Sequence, residues 1–150
     1  MTDLTKEPLR PAVVLLAEDN DNDVELTRLS FKRSKIACEL HVVGDGEECM
    51  AFLRREGIYA DAPFPDLLLL DLNMPRKGGG EVMAEIAEDP DLCHLPVVIL
   101  TTSSSDAEIL KMYQLRCSSY IVKPLDFIQF QRCVAQITDY WFELVVRPKK

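Results

Sequence analysis

Short apolar runs in this chain end in residues able to do chemistry. VVLLA is followed by Glu18-Asp19, LLLL by Asp71, VVIL by Thr101-Thr102 and YIV by Lys123-Pro124. If those ends meet, three carboxylates, a hydroxyl and one ammonium share one pocket. Crowded carboxylates raise one another's pKa unless positive charge offsets them, so keeping all three ionised needs a divalent cation or Lys123. Oxygen-only donors with open water positions suit Mg²⁺.

The elements that could bring these ends together are readable as runs. Val13 to Ala17, Leu40 to Val43, Leu67 to Leu70, Val97 to Leu100 and Tyr120 to Val122 are short and β-branched or leucine-rich. Their lack of polar alternation predicts strands covered on both faces. Between and after them, Asp21 to Lys35, Glu47 to Arg55, Glu81 to Glu88, Asp106 to Leu115 and Phe127 to Val145 have the periodicity of crossover helices. Right-handed crossovers place such a (βα)5 chain in a doubly wound α/β fold with one parallel sheet. In the flavodoxin-like order 2-1-3-4-5, strands one, three, four and five are neighbours about 4.8 Å apart. Ligands of open parallel sheets bind beyond the carboxyl ends of the strands, where the polar residues stand.

Composition narrows the function. The chain has 150 residues, 47% hydrophobic and 28% charged, a mixture suited to one globular domain rather than to disorder. Neither an apolar run of about 18 residues nor a signal-peptide pattern is present, so membrane insertion and secretion are not expected and a cytoplasmic location is. The net charge of -8 opposes nucleic-acid binding. Cys38, Cys49, Cys93, Cys117 and Cys133 are scattered without a CxxC pair and read as reduced packing residues.

Each site residue has an ordinary reading when taken alone. The acids of EDNDND can cap the helix that starts near Asp21, Asp71 can be a turn residue, and Lys123 can simply end a strand. What those readings leave unexplained is four separate strand ends offering complementary groups to one point. With LLAEDNDND at the first strand, LLLLDLNMPRKGGGE at the third, PVVILTTS at the fourth and YIVKPL at the fifth, the span from Ala12 to about Gln136 resembles the bacterial response-regulator receiver domain.

The resemblance implies that Asp71 is the phosphoacceptor and that Glu18, Asp19, Asp71 and the backbone carbonyl of Asn73 ligate Mg²⁺. It further implies that Thr101 and Lys123 hold the phosphoryl oxygens, that Thr101 and Tyr120 form a switch, and that Lys123-Pro124 is cis. The physical chemistry agrees: a carboxylate is a weak nucleophile, so transfer to Asp71 depends on positioning and charge neutralisation. Tyr120 also reads as a half-buried strand aromatic. Four departures stand out. Glu18 replaces the usual aspartate, Gly78 replaces an aspartate that would cap the third helix, Thr102 replaces a small residue beside the phosphoryl group, and Cys117-Ser118 replaces a small Gly/Ala pair before the fifth strand.

Phe127, Phe130, Val134, Ile137, Trp141 and Leu144 recur at spacings of three and four. A helix from Asp126 to Val145 would run about 30 Å and overhang the sheet, exposing WFELVV. A homodimer through Phe127, Trp141, Phe142 and Val145 is one expectation, packing of these residues on the parent domain the other. The ending YWFELVVRP is similar to those of small response regulators that serve phytochrome-type histidine kinases, which implies such a kinase as partner. The expected layout is a lead-in over 1–11, a receiver domain over 12–146 with its extended helix, and a tail over 147–150.

Three competing readings are weaker. A receiver-shaped module that binds partners without phosphorylation has no need of Asp19, Asp71, Thr101 and Lys123. A haloacid-dehalogenase-like phosphatase wants a second acid two residues after its nucleophile, where Asn73 stands. A nucleotide-binding flavodoxin-like protein wants a phosphate cradle where EDNDND stands.

Overall fold

The computed structural model describes residues 11–34 and 37–144. Five strands, β1 (Ala12–Ala17), β2 (Cys38–Val43), β3 (Leu67–Leu70), β4 (Val97–Thr101) and β5 (Ser119–Val122), alternate with five helices. These are α1 (Asp21–Lys32), α2 (Gly46–Leu53), α3 (Gly79–Glu88), α4 (Asp106–Gln114) and α5 (Phe127–Asp139). The strands form one parallel sheet in the order β2-β1-β3-β4-β5. Both the doubly wound architecture and the strand order are as the sequence predicts.

Strand alternation divides the apolar runs between two cores. Leu15, Leu68, Leu70, Val97 and Ile99 face Cys49, Met50, Phe52, Val82, Met83, Ile86 and Met112 on α2, α3 and α4. Val14, Leu16, Leu67, Leu69, Val98 and Leu100 face Phe31, Phe130, Val134 and Ile137 on α1 and α5. All four leucines of β3 are fully buried, each stabilising the fold by about 1.5–3 kcal/mol relative to exposure. Cys49, Cys93, Cys117 and Cys133 are free thiols, and burial pushes that of Cys49 up to about 12.

Side-chain caps set most helix starts. Asn20 accepts from Asp23 N–H, Asp45 from Glu48, Ser105 from Glu108, and Asp126 from Ile128 and Gln129. Among the five α-helices described, only α3 begins without one, after Gly78. It starts at Gly79, two residues before the predicted Glu81, because the glycines enter the helix instead of forming a separate turn. At the other end of the fold, helical backbone continues past Asp139 as a π turn over Tyr140–Leu144. The lead-in, except Pro11, and Val145 with the tail lie outside the described residues.

The predicted exposed overhang is corrected at Trp141 and Phe142. Both are half-buried and pack against the α1/α5 core. Among the described residues no helix is long and apolar enough to cross a membrane.

Candidate functional site

The four neighbouring strands deliver their final residues to one end of the sheet. Glu18 N–H donates to Val43 O at 3.0 Å, Asp71 N–H to Ala17 O at 3.0 Å and Lys123 N–H to Thr101 O at 2.7 Å, so the ladder runs into the site. Glu18, Asp71, Thr101 and Lys123 are buried, and Asp19 is exposed at the mouth. Carboxylate oxygens of Glu18, Asp19 and Asp71 lie within 4.8 Å of one another. Hard oxygen donors at that spacing, with one side open to water, fit a cation such as Mg²⁺.

Lys123 reaches into this acidic group. Its Nζ donates to Glu18 Oε2 at 2.5 Å, Asp23 Oδ2 at 2.8 Å and Asp71 Oδ2 at 3.4 Å. Burial works to lower the ammonium's pKa, but the bonds to Asp23 and Glu18 override it and hold Lys123 above the ordinary lysine range. Burial pushes the Glu18 carboxyl up to about 7; Asp71 adds to the rise, while Lys123 and the Asn20 N–H restrain it. One ammonium thus faces three carboxylates, and a divalent cation at the acidic triad would add positive charge that favours their ionised forms.

Helix α3 fixes the floor of the site. Gly79 N–H donates to Leu72 O at 3.0 Å, and a Cβ at Gly79 would lie 2.3 Å from Asp71 O. Only glycine lets the helix come this close to the backbone carrying Asp71. Asn73 N–H turns back to Asp71 Oδ1 at 3.3 Å, placing Asn73 beside the carboxylate.

The residues predicted to act as a switch sit beside this group. Thr101 is fully buried, and its Oγ1 accepts from Ser103 N–H at 3.5 Å. Tyr120 is half-buried against the α2/α3/α4 core and its hydroxyl donates to Ser103 O at 2.9 Å. Thr102 is exposed. The Lys123–Pro124 bond is trans, correcting the cis expectation carried by the resemblance. Of the proposed dimer residues, Phe127 is 53% exposed, Trp141 and Phe142 are partly covered by their own core, and Val145 is not described.

Sequence reasoning missed Asp23 as a partner of Lys123. EDNDND was read as ligands and caps, yet Asn20 is the cap, and this puts Asp23 on the first turn of α1, at the end of the sheet where Lys123 emerges.

Comparison with known proteins agrees with this geometry. The model of the response regulator receiver domain matches residues 14–135. Response regulator Rcp1 of Synechocystis sp. is 40% identical over 145 residues, covering 97% of this chain and 99% of that one. The crystal structure of the phosphorylated cyanobacterial phytochrome response regulator RcpA superposes with a TM-score of 0.90 at 41% identity, over 93% of this chain and 100% of that one. The Mn²⁺-bound form of Rcp1 superposes with a TM-score of 0.89 at 41% identity and the same coverage. With its strand order, its acidic triad and these relatives, the chain belongs to the response regulator receiver domain family and is related to phytochrome response regulators.

Proposed function

We propose that this chain is a stand-alone response regulator that accepts a phosphoryl group on Asp71 from a phytochrome-type histidine kinase and then changes a protein-binding surface. The observation that carries the reading is the buried convergence of Glu18, Asp71, Thr101 and Lys123, with Asp19 at the open side. An oxygen of Asp71 bonds to phosphorus as the P–N bond of the donor phosphohistidine breaks; the imidazole leaves with the electron pair and takes a proton from solvent. Later attack by water on phosphorus returns the carboxylate and inorganic phosphate.

Glu18, Asp19, Asp71 and the Asn73 carbonyl would hold Mg²⁺, which neutralises charge on the phosphoryl oxygens. Lys123 does the same from the opposite side as an ammonium donor, and Thr101 offers a hydroxyl to a phosphoryl oxygen. Movement of Thr101 toward that oxygen disturbs the Ser103 turn, to which the Tyr120 hydroxyl is tied. The signal then reaches the surface of α4, β5 and α5. This surface exposes Leu110, Tyr113, Val122 and Phe127, a face on which a second copy of the chain can dock. The relation to RcpA and Rcp1 supports a phytochrome-type kinase as donor, and the Mn²⁺-bound form of Rcp1 supports a divalent cation.

Incubation with Mg²⁺ and acetyl phosphate, followed by intact-mass measurement, tests the reading. A mass gain of one phosphoryl group that needs the metal is expected. Absence of any gain, with partner binding unchanged by the donor, would instead identify a phosphorylation-independent module.

A further inference from the structure

An ammonium has three N–H donors, and Lys123 directs its donors at Glu18, Asp23 and Asp71. Two of these acceptors, Glu18 and Asp71, belong to the acidic triad. Asp23 stands apart from it. Its place is set by the start of α1, where its N–H donates to Asn20 Oδ1 at 3.0 Å and its carbonyl accepts from the Thr27 hydroxyl at 2.7 Å. Its side chain is 24% exposed, against 3% for Glu18 and 8% for Asp71.

The three partners of Lys123 therefore differ in what site chemistry does to them. A cation drawn to the triad competes with the ammonium for Glu18. A phosphoryl group bonded to Asp71 changes the charge and shape of the acceptor that Lys123 faces at 3.4 Å. The Asp23 contact, at 2.8 Å, involves neither the triad nor the acceptor oxygen. A lysine side chain is long, with much rotamer freedom to lose, so an anchor that persists through both events fixes where the ammonium points.

Building on the phosphoacceptor reading above, we infer that Asp23 is a positioning residue for phosphoryl transfer, whose carboxylate anchors Lys123 Nζ over Asp71 throughout the cycle. The opposite effect is also physically defined: a carboxylate this close to the incoming anion repels it, and if repulsion dominated, neutralising Asp23 would speed the reaction. The geometry favours anchoring, because the negative end of Asp23 is capped by the ammonium itself.

The test compares wild type, Asp23→Asn, Asp23→Glu, Lys123→Met and the Asp23→Asn/Lys123→Met pair, each as the full chain with Mg²⁺ and acetyl phosphate. Asp23→Asn is expected to slow phosphorylation by about three- to tenfold, Asp23→Glu to recover most of that loss, and Asp23→Asn to add no slowing in the Lys123→Met background. A second readout uses metal-free protein: nitrogen-15 NMR should show faster proton exchange at the Lys123 ammonium in Asp23→Asn than in wild type. Phosphorylation of Asp23→Asn at or above the wild-type rate, equal slowing in both lysine backgrounds, or unchanged ammonium exchange would overturn the assignment. Failure of wild type itself to be phosphorylated would overturn the phosphoacceptor reading instead.

Discussion

Lys123 and the prospective cation draw on the same carboxylates, so they compete as well as cooperate. Lys123 Nζ bonds to Glu18 and Asp71, two of the three carboxylates that would hold the metal. Removing that competitor in Lys123→Met should tighten Mg²⁺ binding by about three- to tenfold in calorimetric titration; weaker binding would mean that the lysine helps to shape the metal site. Most site residues were legible because each follows an unbroken apolar run. The Asp23–Lys123 contact was not, since residues 100 positions apart meet only through the topology. A helix start rich in acids offers no signal that distinguishes an anchor from a cap.

The elements carry the site by close approach, with glycine where two backbones touch. A methyl at Gly79 would meet Asp71 O at 2.3 Å, so Gly79→Ala should lower unfolding stability by about 1–3 kcal/mol and slow phosphorylation by shifting Asp71. Denaturant titration showing wild-type stability would contradict the contact. Asp45 makes a similar joint: it caps α2 and accepts from Arg76 Nε at 2.8 Å, linking that helix to the loop after β3. Burial opposes its ionisation, but the Glu48 N–H and Arg76 overcome this and hold its carboxyl below the ordinary range. Its contribution is present above the unfolded value of about 3.9 and lost as pH falls through the lower native value. Asp45→Ala should thus cost about 1 kcal/mol near neutral pH, with the gap from wild type closing in strong acid. Periodicity alone starts α3 at Glu81, because glycines add nothing to an apolar stripe; the packing of Gly79 against Asp71 shows why the helix begins two residues earlier.

For the molecule as a whole, the doubly wound architecture followed from apolar runs and right-handed crossovers, and the flavodoxin-like strand order taken with it placed the site before any side-chain geometry was known. The far end of α5 was less legible. Periodicity predicted a long α-helical stripe, but a local change of helical pitch over Tyr140–Leu144 folds Trp141 and Phe142 onto their own core. Trp141→Ala with Phe142→Ala should therefore destabilise the monomer, by about 3 kcal/mol or more for the pair given their size. Phe127→Ser, on the exposed face, should leave the melting temperature unchanged and weaken self-association in sedimentation velocity. An unaltered sedimentation profile for Phe127→Ser would remove that residue from the proposed dimer surface.

Acyl phosphates can be trapped by borohydride, which reduces a phosphorylated aspartate to homoserine. Peptide mapping after treatment with Mg²⁺, acetyl phosphate and borohydride should find homoserine at position 71 and at no other acidic residue, with the product absent from Asp71→Asn. Homoserine elsewhere, or none in protein that has gained phosphate, would contradict the assignment of Asp71 as the acceptor.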